Sequence, residues 1–355
     1  MKKQNGALAL FLLLSLLLGA CSPASTPTAV ADEAPLVEES VPTELPVTET
    51  PDLSTPPEPP EAIQSDPNQT PEPFVPVQLT DSVGNELTLD EPPQRIISLA
   101  PSITETLYAI GAGDLLVGRT DFDNYPEAVT ELPSVGGFSA DSISVETILD
   151  LEPDLVLGGS VWQADLIATL NESGIPSLTF EPKNLDEIMA LMLQLGDATG
   201  HADDAAAAVD EMNARIDKVA SVVEAIPAGE RLTVFYEVWH EPLMTVSDQS
   251  FIGEIITRAG GKNIFADLEE SYPTVSAEAV LEANPDVILG PAMHGDQLTV
   301  EAMSAREGWD ALSAVQNGAI YLIDDDIISR AGPRVVDALE AVANALYPAY
   351  FEAVN

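Results

Sequence analysis

The chain has 355 residues, with 59 Asp and Glu against 13 Lys and Arg and a formal net charge of −46 at pH 7. That imbalance excludes nucleic acid and anionic lipid surfaces as partners, because phosphate is bound by dense Lys and Arg. A single cysteine, Cys21, excludes an intramolecular disulfide, and the length suffices for two lobes of ordinary size.

Residues 1–21 read as a secretion signal. Lys2 and Lys3 form a positive start, and Leu8 to Leu18 an apolar core shorter than the roughly 20 residues of a membrane span. The run Leu18-Gly19-Ala20-Cys21 resembles the lipobox of bacterial lipoproteins. The resemblance implies cleavage before Cys21 and acylation of that residue, and two or more acyl chains hold a protein stably on a bilayer. Residues 22–76 follow as an acidic tether rich in Pro, Thr and Ser, without a single Lys or Arg. Such a segment buries too little apolar surface to offset its ordering entropy, and it is expected to stay extended.

Residues 77–90 alternate apolar and polar side chains on both sides of Gly84-Asn85, the pattern of a β-hairpin. In "RIISLAPSITETLYAIGAG", residues 95–113, a strand over Arg95 to Ala100 gives way at Pro101 to a helix over 102–110, stopped by Gly111 and Gly113. The mouth of that turn suits a nucleotide phosphate, a catalytic group or a diffusible ligand. Strand Leu115 to Arg119, helix 145–151, strand Asp154 to Leu157, helix 162–172 and strand Ser177 to Phe180 come next. Alternation of this kind predicts parallel strands with crossover helices, an α/β lobe over 77–200.

Residues 185–226 read as helical with a break near Gly200, and Ala206, Val209, Met212, Ile216, Val219 and Val223 recur at helical spacing. The segment 201–227 is therefore expected to be one connecting helix. At about 25 residues it would be roughly 37 Å long, enough to run between two small domains. The pattern restarts over 228–355 with strand Leu232 to Val238, helices 250–259 and 277–283, strands Asp286 to Leu289 and Ile320 to Ile323, and helix 334–346. The pattern predicts an α/β fold class, two lobes with one long helix between them. The lobes also echo each other: "VETILDLEPDLVLGG" at 145–159 matches "AEAVLEANPDVILGP" at 277–291.

Little in the chain suits catalysis. Cys21 is assigned to the lipid, no Gly-x-Ser-x-Gly elbow occurs, and His201, His240 and His294 lie far apart without metal-ligand spacing. Gly-x-Gly-x-x-Gly is missing from the opening turn, which leaves dinucleotide binding without support. More telling is "DDDIISRAGPR", residues 324–334, where three carboxylates are followed by Arg330 and Arg334. Two readings fit it: a salt-bridge cluster, or Asp326 and Arg330 facing a ligand from the carboxyl end of a strand. Aromatic residues are scarce, and Tyr125, Trp162, Trp239 and Tyr272 fall at strand ends or in loops; each alone suits a structural role, whereas the four together favour a cleft that clamps a flat ligand. Trp309 is assigned to packing.

The stretches "PPQRIISLAPSITETLYAIGAGDLLVGRTDFDNYPEA", "PDLVLGG", "FIGEIITRAGGKNIF", "REGWDALSAVQNGAIYLID" and "RAGPRVVDAL" resemble the periplasmic binding proteins for iron-siderophores and cobalamin, over residues 77–350. These are solute receptors of ATP-driven importers, and the cobalamin receptors are the nearest in pattern. The resemblance implies two Rossmann-like lobes joined by a single long helix with a ligand cleft between them, in a lipid-anchored, extracytoplasmic chain that captures cobalamin or another corrinoid as cargo, holds no cofactor of its own, and catalyses nothing. It assigns the cleft to Tyr125, Trp162, Trp239, Tyr272, Asp326 and Arg330, although a Trp expected in the first lobe is replaced by "GGF" ending at Phe138. It also implies docking onto an ABC permease and its ATPase through one acidic residue per lobe, Glu146 and Glu278. A ferric siderophore or haem is the alternative cargo; an extracytoplasmic enzyme is the more distant one.

Overall fold

A computed structural model describes residues 74–292 and 298–352. The signal segment, Cys21, nearly all of the tether and His294 therefore lie outside the described residues.

The antiparallel hairpin of β1 (Val77–Thr80) and β2 (Glu86–Leu89) leads in. The first lobe then contains β3 (Ile96–Ser98), α1 (Pro101–Ala109), β4 (Leu116–Gly118), α2 (Val145–Asp150), β5 (Leu155–Gly158), α3 (Ala164–Glu172) and β6 (Ser177–Thr179). Its four strands are parallel, in the order β4-β3-β5-β6. Helices α4 (Leu185–Thr199) and α5 (Ala202–Glu224) follow, separated at Gly200 by a left-handed turn.

The second lobe contains β7 (Thr233–Tyr236), a short hairpin of β8 (Trp239–His240) and β9 (Leu243–Met244), α6 (Phe251–Arg258), β10 (Lys262–Asn263), α7 (Ala277–Ala283) and β11 (Val287–Ala292). It continues with α8 (Val300–Ser304), α9 (Ser313–Gln316), β12 (Ile320–Asp324), α10 (Asp325–Ile328), α11 (Val335–Leu346) and α12 (Pro348–Glu352). Its main sheet is also parallel, in the order β10-β7-β11-β12. Both sheets thus place the lobe's first strand second and its third strand third. The sequence reading found neither β10 nor the hairpin β8–β9, each strand being only two residues long.

Alternation along the strands explains why each sheet is covered on both faces. Ile96, Leu155 and Leu157 point into a core shared with α4, α5 and α11, while Ile97, Leu99 and Val156 point into a separate outer layer. The second lobe repeats this: Val234, Val287 and Leu289 face inward, Phe235 and Ile288 outward against the buried Trp309. Period-two burial on both faces is what a parallel sheet under crossover helices demands.

The inward stripe of α5 is Ala205, Val209, Met212, Ile216, Val219 and Val223. It begins at Ala205 rather than at the expected Ala206, which is exposed. The cause is α4: a Cβ added at Gly196 would fall 2.4 Å from that of Ala205. The glycine lets the two helices close on each other there, and only position 205 meets the contact.

The internal echo is geometric as well as textual. Glu152 and Asn284, the residues before the two Pro-Asp pairs, both have left-handed backbone, with φ of 48° and 44°. The Asp154 carboxylate accepts hydrogen bonds from the Gln94 and Arg95 amides at 2.7 and 2.9 Å, just before β3. The Asp286 carboxylate accepts from the Thr233 amide and hydroxyl at 2.8 and 2.7 Å, at the start of β7. In each lobe an aspartate ties the third strand to the first.

Candidate functional site

The turn after β3 and the turn after β5 form one wall of a crevice between the lobes. This is where the strand order reverses, so neighbouring connections leave toward opposite faces and open a gap at the carboxyl ends. Ala100, Pro101 and Ser102 line the gap after β3, and Gly159, Ser160 and Trp162 after β5. The Ser160 hydroxyl accepts from the Trp162 amide at 3.2 Å and caps the short helical turn Val161–Gln163 that carries the indole. The opposite wall comes from the start of α6, from Ser271-Tyr272, and from Ser329-Arg330-Ala331 after β12. The cavity enclosed is about 420 Å³.

Trp162 stands 84% exposed at its mouth, with Tyr272 on the other lobe 39% exposed. Burial, with the Glu181 carboxylate adding to it, pushes the Tyr272 phenol up to about 12. It is therefore a neutral hydroxyl at physiological pH. Phe138, in the position where the expected Trp is replaced, also lines this cavity.

Beside the cavity a charged bridge ties the lobes together. Glu105, on α1, is 2% exposed and accepts from Arg334 Nε at 2.8 Å and from both Arg334 Nη2 and Arg330 Nη1 at 2.7 Å. Arg330 donates also to the Asn124 side-chain Oδ1 at 2.8 Å and to the Asp326 carboxylate at 2.5 Å. Asn124 Nδ2 completes the ring by donating to Asp326 at 2.7 Å. Hydrogen bonding to Glu105 is the main reason the Arg334 guanidinium holds its proton more tightly than usual. Asp123, next to Asn124, is 2% exposed and accepts from the Thr104 and Thr120 hydroxyls; burial raises its carboxyl above the usual range.

The structure therefore brings three of the sequence-derived ligand residues to one cavity: Trp162, Tyr272 and Arg330. Asp326 is committed to the bridge. Tyr125 lines a second cavity of about 570 Å³, together with Tyr108, Met192, Met212 and Arg215, and its ring lies under the Arg334 guanidinium at 4.2 Å. Trp239 stands in β8, outside both cavities, its indole N–H donating to the Glu241 carbonyl at 3.1 Å and its ring 4.8 Å from that of His240. Trp309 is fully buried against Phe235, as the sequence reading had it. Glu146 and Glu278 are exposed at the second positions of α2 and α7, each helix capped by a serine, Ser144 or Ser276.

Sequence reasoning missed Glu105 and Asn124. The signal for Glu105 was available: one carboxylate in the helix PSITETLYA demands a cationic partner once the helix is buried. Among the described residues no group of three or more His, Cys, Asp and Glu could hold a metal, and no helix is long and apolar enough to cross a membrane.

Residues 96–327 match the family model described as periplasmic binding protein. The chain is 31% identical over 282 residues to the uncharacterized ABC transporter substrate-binding lipoprotein YvrC of Bacillus subtilis, covering 78% of this chain and 87% of that one. Its structure resembles the periplasmic vitamin B12 binding protein BtuF of Vibrio cholerae, with TM-score 0.61 and 31% identity over 72% of this chain and 98% of that one. The periplasmic heme-binding protein RhuT from Roseiflexus is also similar, with TM-score 0.63 and 26% identity over 72% and 99% of the two chains.

Proposed function

The chain belongs to the periplasmic binding protein family, as a substrate-binding protein of ABC transporters, and from that premise we propose that its cargo is a corrinoid, most simply cobalamin. The observation that carries this reading is the pair Trp162 and Tyr272, which face one cavity from opposite lobes. Two aromatic faces with serine hydroxyls between them suit a broad, flat cargo rimmed with amides, because they exclude water from its faces and bond its edge. The charge balance supports the same choice. Arg330 is already paired with Glu105 and Asp326, and Lys183 shares the cavity with Glu181. An anionic ferric chelate would want uncommitted cations. The likeness to the vitamin B12 binding protein of Vibrio cholerae agrees with a corrinoid.

The lipobox-like Leu18-Gly19-Ala20-Cys21, and the lipoprotein name of the Bacillus relative, support anchoring through an acylated Cys21 on the outer side of a membrane. Glu146 and Glu278, at matched places on matched helices, are the contacts proposed for the permease. Ion pairs of this kind steer and register a complex more than they strengthen it. Tyr125, Trp239 and Asp326 remain part of the proposed cargo surface, reached when the lobes part.

Calorimetry of the full chain with cyanocobalamin, dicyanocobinamide, haemin and a ferric trihydroxamate tests the assignment. Heat with both corrinoids supports it. Heat only with haemin or the ferric chelate replaces it.

A further inference from the structure

The two cavities share a wall. Glu105 and Arg334 border the larger, about 570 Å³, and Arg330 borders the smaller, about 420 Å³. All three side chains meet at the Glu105 carboxylate. Both lobes build this wall, Glu105 and Asn124 from one and Asp326, Arg330 and Arg334 from the other. It puts Tyr125 on one side and Trp162 and Tyr272 on the other. Every charge in it already has an opposite charge within hydrogen-bond reach.

We propose that this bridge is a removable partition, and that Glu105 is the residue that sets how large a cargo the crevice admits. The inference rests on the corrinoid reading. Cavities of about 300–1,000 Å³ suffice for drug-sized ligands, and a corrinoid is larger than those. Neither chamber alone encloses one. When Glu105 parts from Arg330 and Arg334 the chambers join, and Tyr125 comes onto the same surface as Trp162 and Tyr272. The Asp326 carboxylate loses Asn124 and the Arg330 guanidinium loses Glu105, and the two, still paired with each other within their own lobe, turn their remaining hydrogen-bonding positions to cargo amides. Binding selects the parted state, so its observed affinity is reduced by the fraction of molecules in which the wall is open.

A covalent lock tests this directly. Ser102 lies one helical turn before Thr106 on α1, and Gly332 lies midway between Arg330 and Arg334. A Cβ built on Gly332 falls 3.6 Å from the Ser102 Cβ, at the short end of the range of about 3.5–4.5 Å that a disulfide spans, and 3.2 Å from the Ser102 carbonyl oxygen, so the backbone must give by a few tenths of an ångström to admit it. The full chain carrying Ser102→Cys and Gly332→Cys is titrated with cyanocobalamin, oxidised and then reduced. The expected result is binding at least ~30-fold weaker when oxidised, restored by dithiothreitol, because the lock removes the open population. Equal affinity in both states overturns the proposal.

Glu105→Gln keeps the side chain's size and removes its charge, and it serves if the cysteine pair does not fold. Cyanocobalamin should then associate roughly tenfold faster than with the parent chain, as a weaker wall is open more often. An unchanged association rate with faster dissociation would instead make Glu105 a support for bound cargo, and overturn the partition. A parent chain that gives no heat with cyanocobalamin defeats the corrinoid reading itself, and the partition with it. The two failures are thus told apart by whether the unmodified chain binds.

Discussion

Glu105 and Arg334 meet two oxygens to two nitrogens across the lobe interface, at 2.8 and 2.7 Å. The carboxylate is almost wholly buried, and Arg330 shares one of its oxygens. Removing one member of such a group leaves uncompensated charge out of water, which costs far more than the pair contributes. Glu105→Ala should therefore lower unfolding stability by about 3–5 kcal/mol, measured by urea denaturation. A loss below about 0.5 kcal/mol, the ordinary effect of a surface substitution, would show that the arginines find other partners.

Trp162 is the opposite case. An indole 84% exposed contributes little to folding, so Trp162→Ala should leave the urea midpoint nearly unchanged. Its face is free for cargo, and losing a stacking contact worth about 1.4 kcal/mol weakens binding roughly tenfold. Calorimetry with cyanocobalamin beside a urea curve separates the two effects. A large stability loss with unchanged affinity would assign the indole to the fold.

The matched aspartates predict matched damage. Asp154→Ala and Asp286→Ala each remove the carboxylate that accepts two hydrogen bonds at a strand start, from two exposed backbone amides in one lobe and from a half-buried amide and hydroxyl in the other. Each should cost about 1–3 kcal/mol. Marked inequality between them, read by thermal unfolding, would mean that the repeat is one of outline only.

Tyr272 gives a pH signature. Its phenol is raised from 10.0 to about 12, chiefly by burial. A raised acid makes a contribution that is whole below the unfolded value and is lost as pH climbs through the folded one. Melting temperature should therefore fall between pH 10 and 12, and Tyr272→Phe should flatten part of that fall. Binding of cyanocobalamin by the parent chain should be level from pH 7 to 9. An affinity that drops within that span would place an ionising group other than this phenol on the cargo.

Charge reversal at Glu146 and Glu278 should reduce corrinoid uptake in cells and leave binding by the isolated chain unaltered. Both side chains are exposed on short capped helices. Altered binding in vitro would show that these positions act on the lobes rather than on the membrane partner.

Much of the fold was legible because apolar runs of strand length alternate with helix-spaced stripes, and because Gly200 and the Pro-Asp pairs punctuate them. What escaped were elements too short to show a period, such as β8, β9 and β10. The position of Tyr125 also escaped, for a different reason. Its local pattern, a tyrosine in a turn after a strand, is as expected, but which cavity it borders depends on Arg334 from the far lobe closing over its ring. Similarly, "DDDIISRAGPR" offered both a ligand site and a salt-bridge cluster. Only the buried Glu105, some 220 residues earlier in the chain, shows the arginines paired. Contacts between remote segments leave no trace in local periodicity.

The two aspartate clamps have one last consequence. Because α2 and α7 each run directly into a third strand that is pinned to its own sheet, neither helix shifts without carrying its lobe along. The gap between them is thus a caliper for the angle of the jaws. A membrane partner that grasped both helices at once, as proposed for Glu146 and Glu278, would read that angle without touching the cargo.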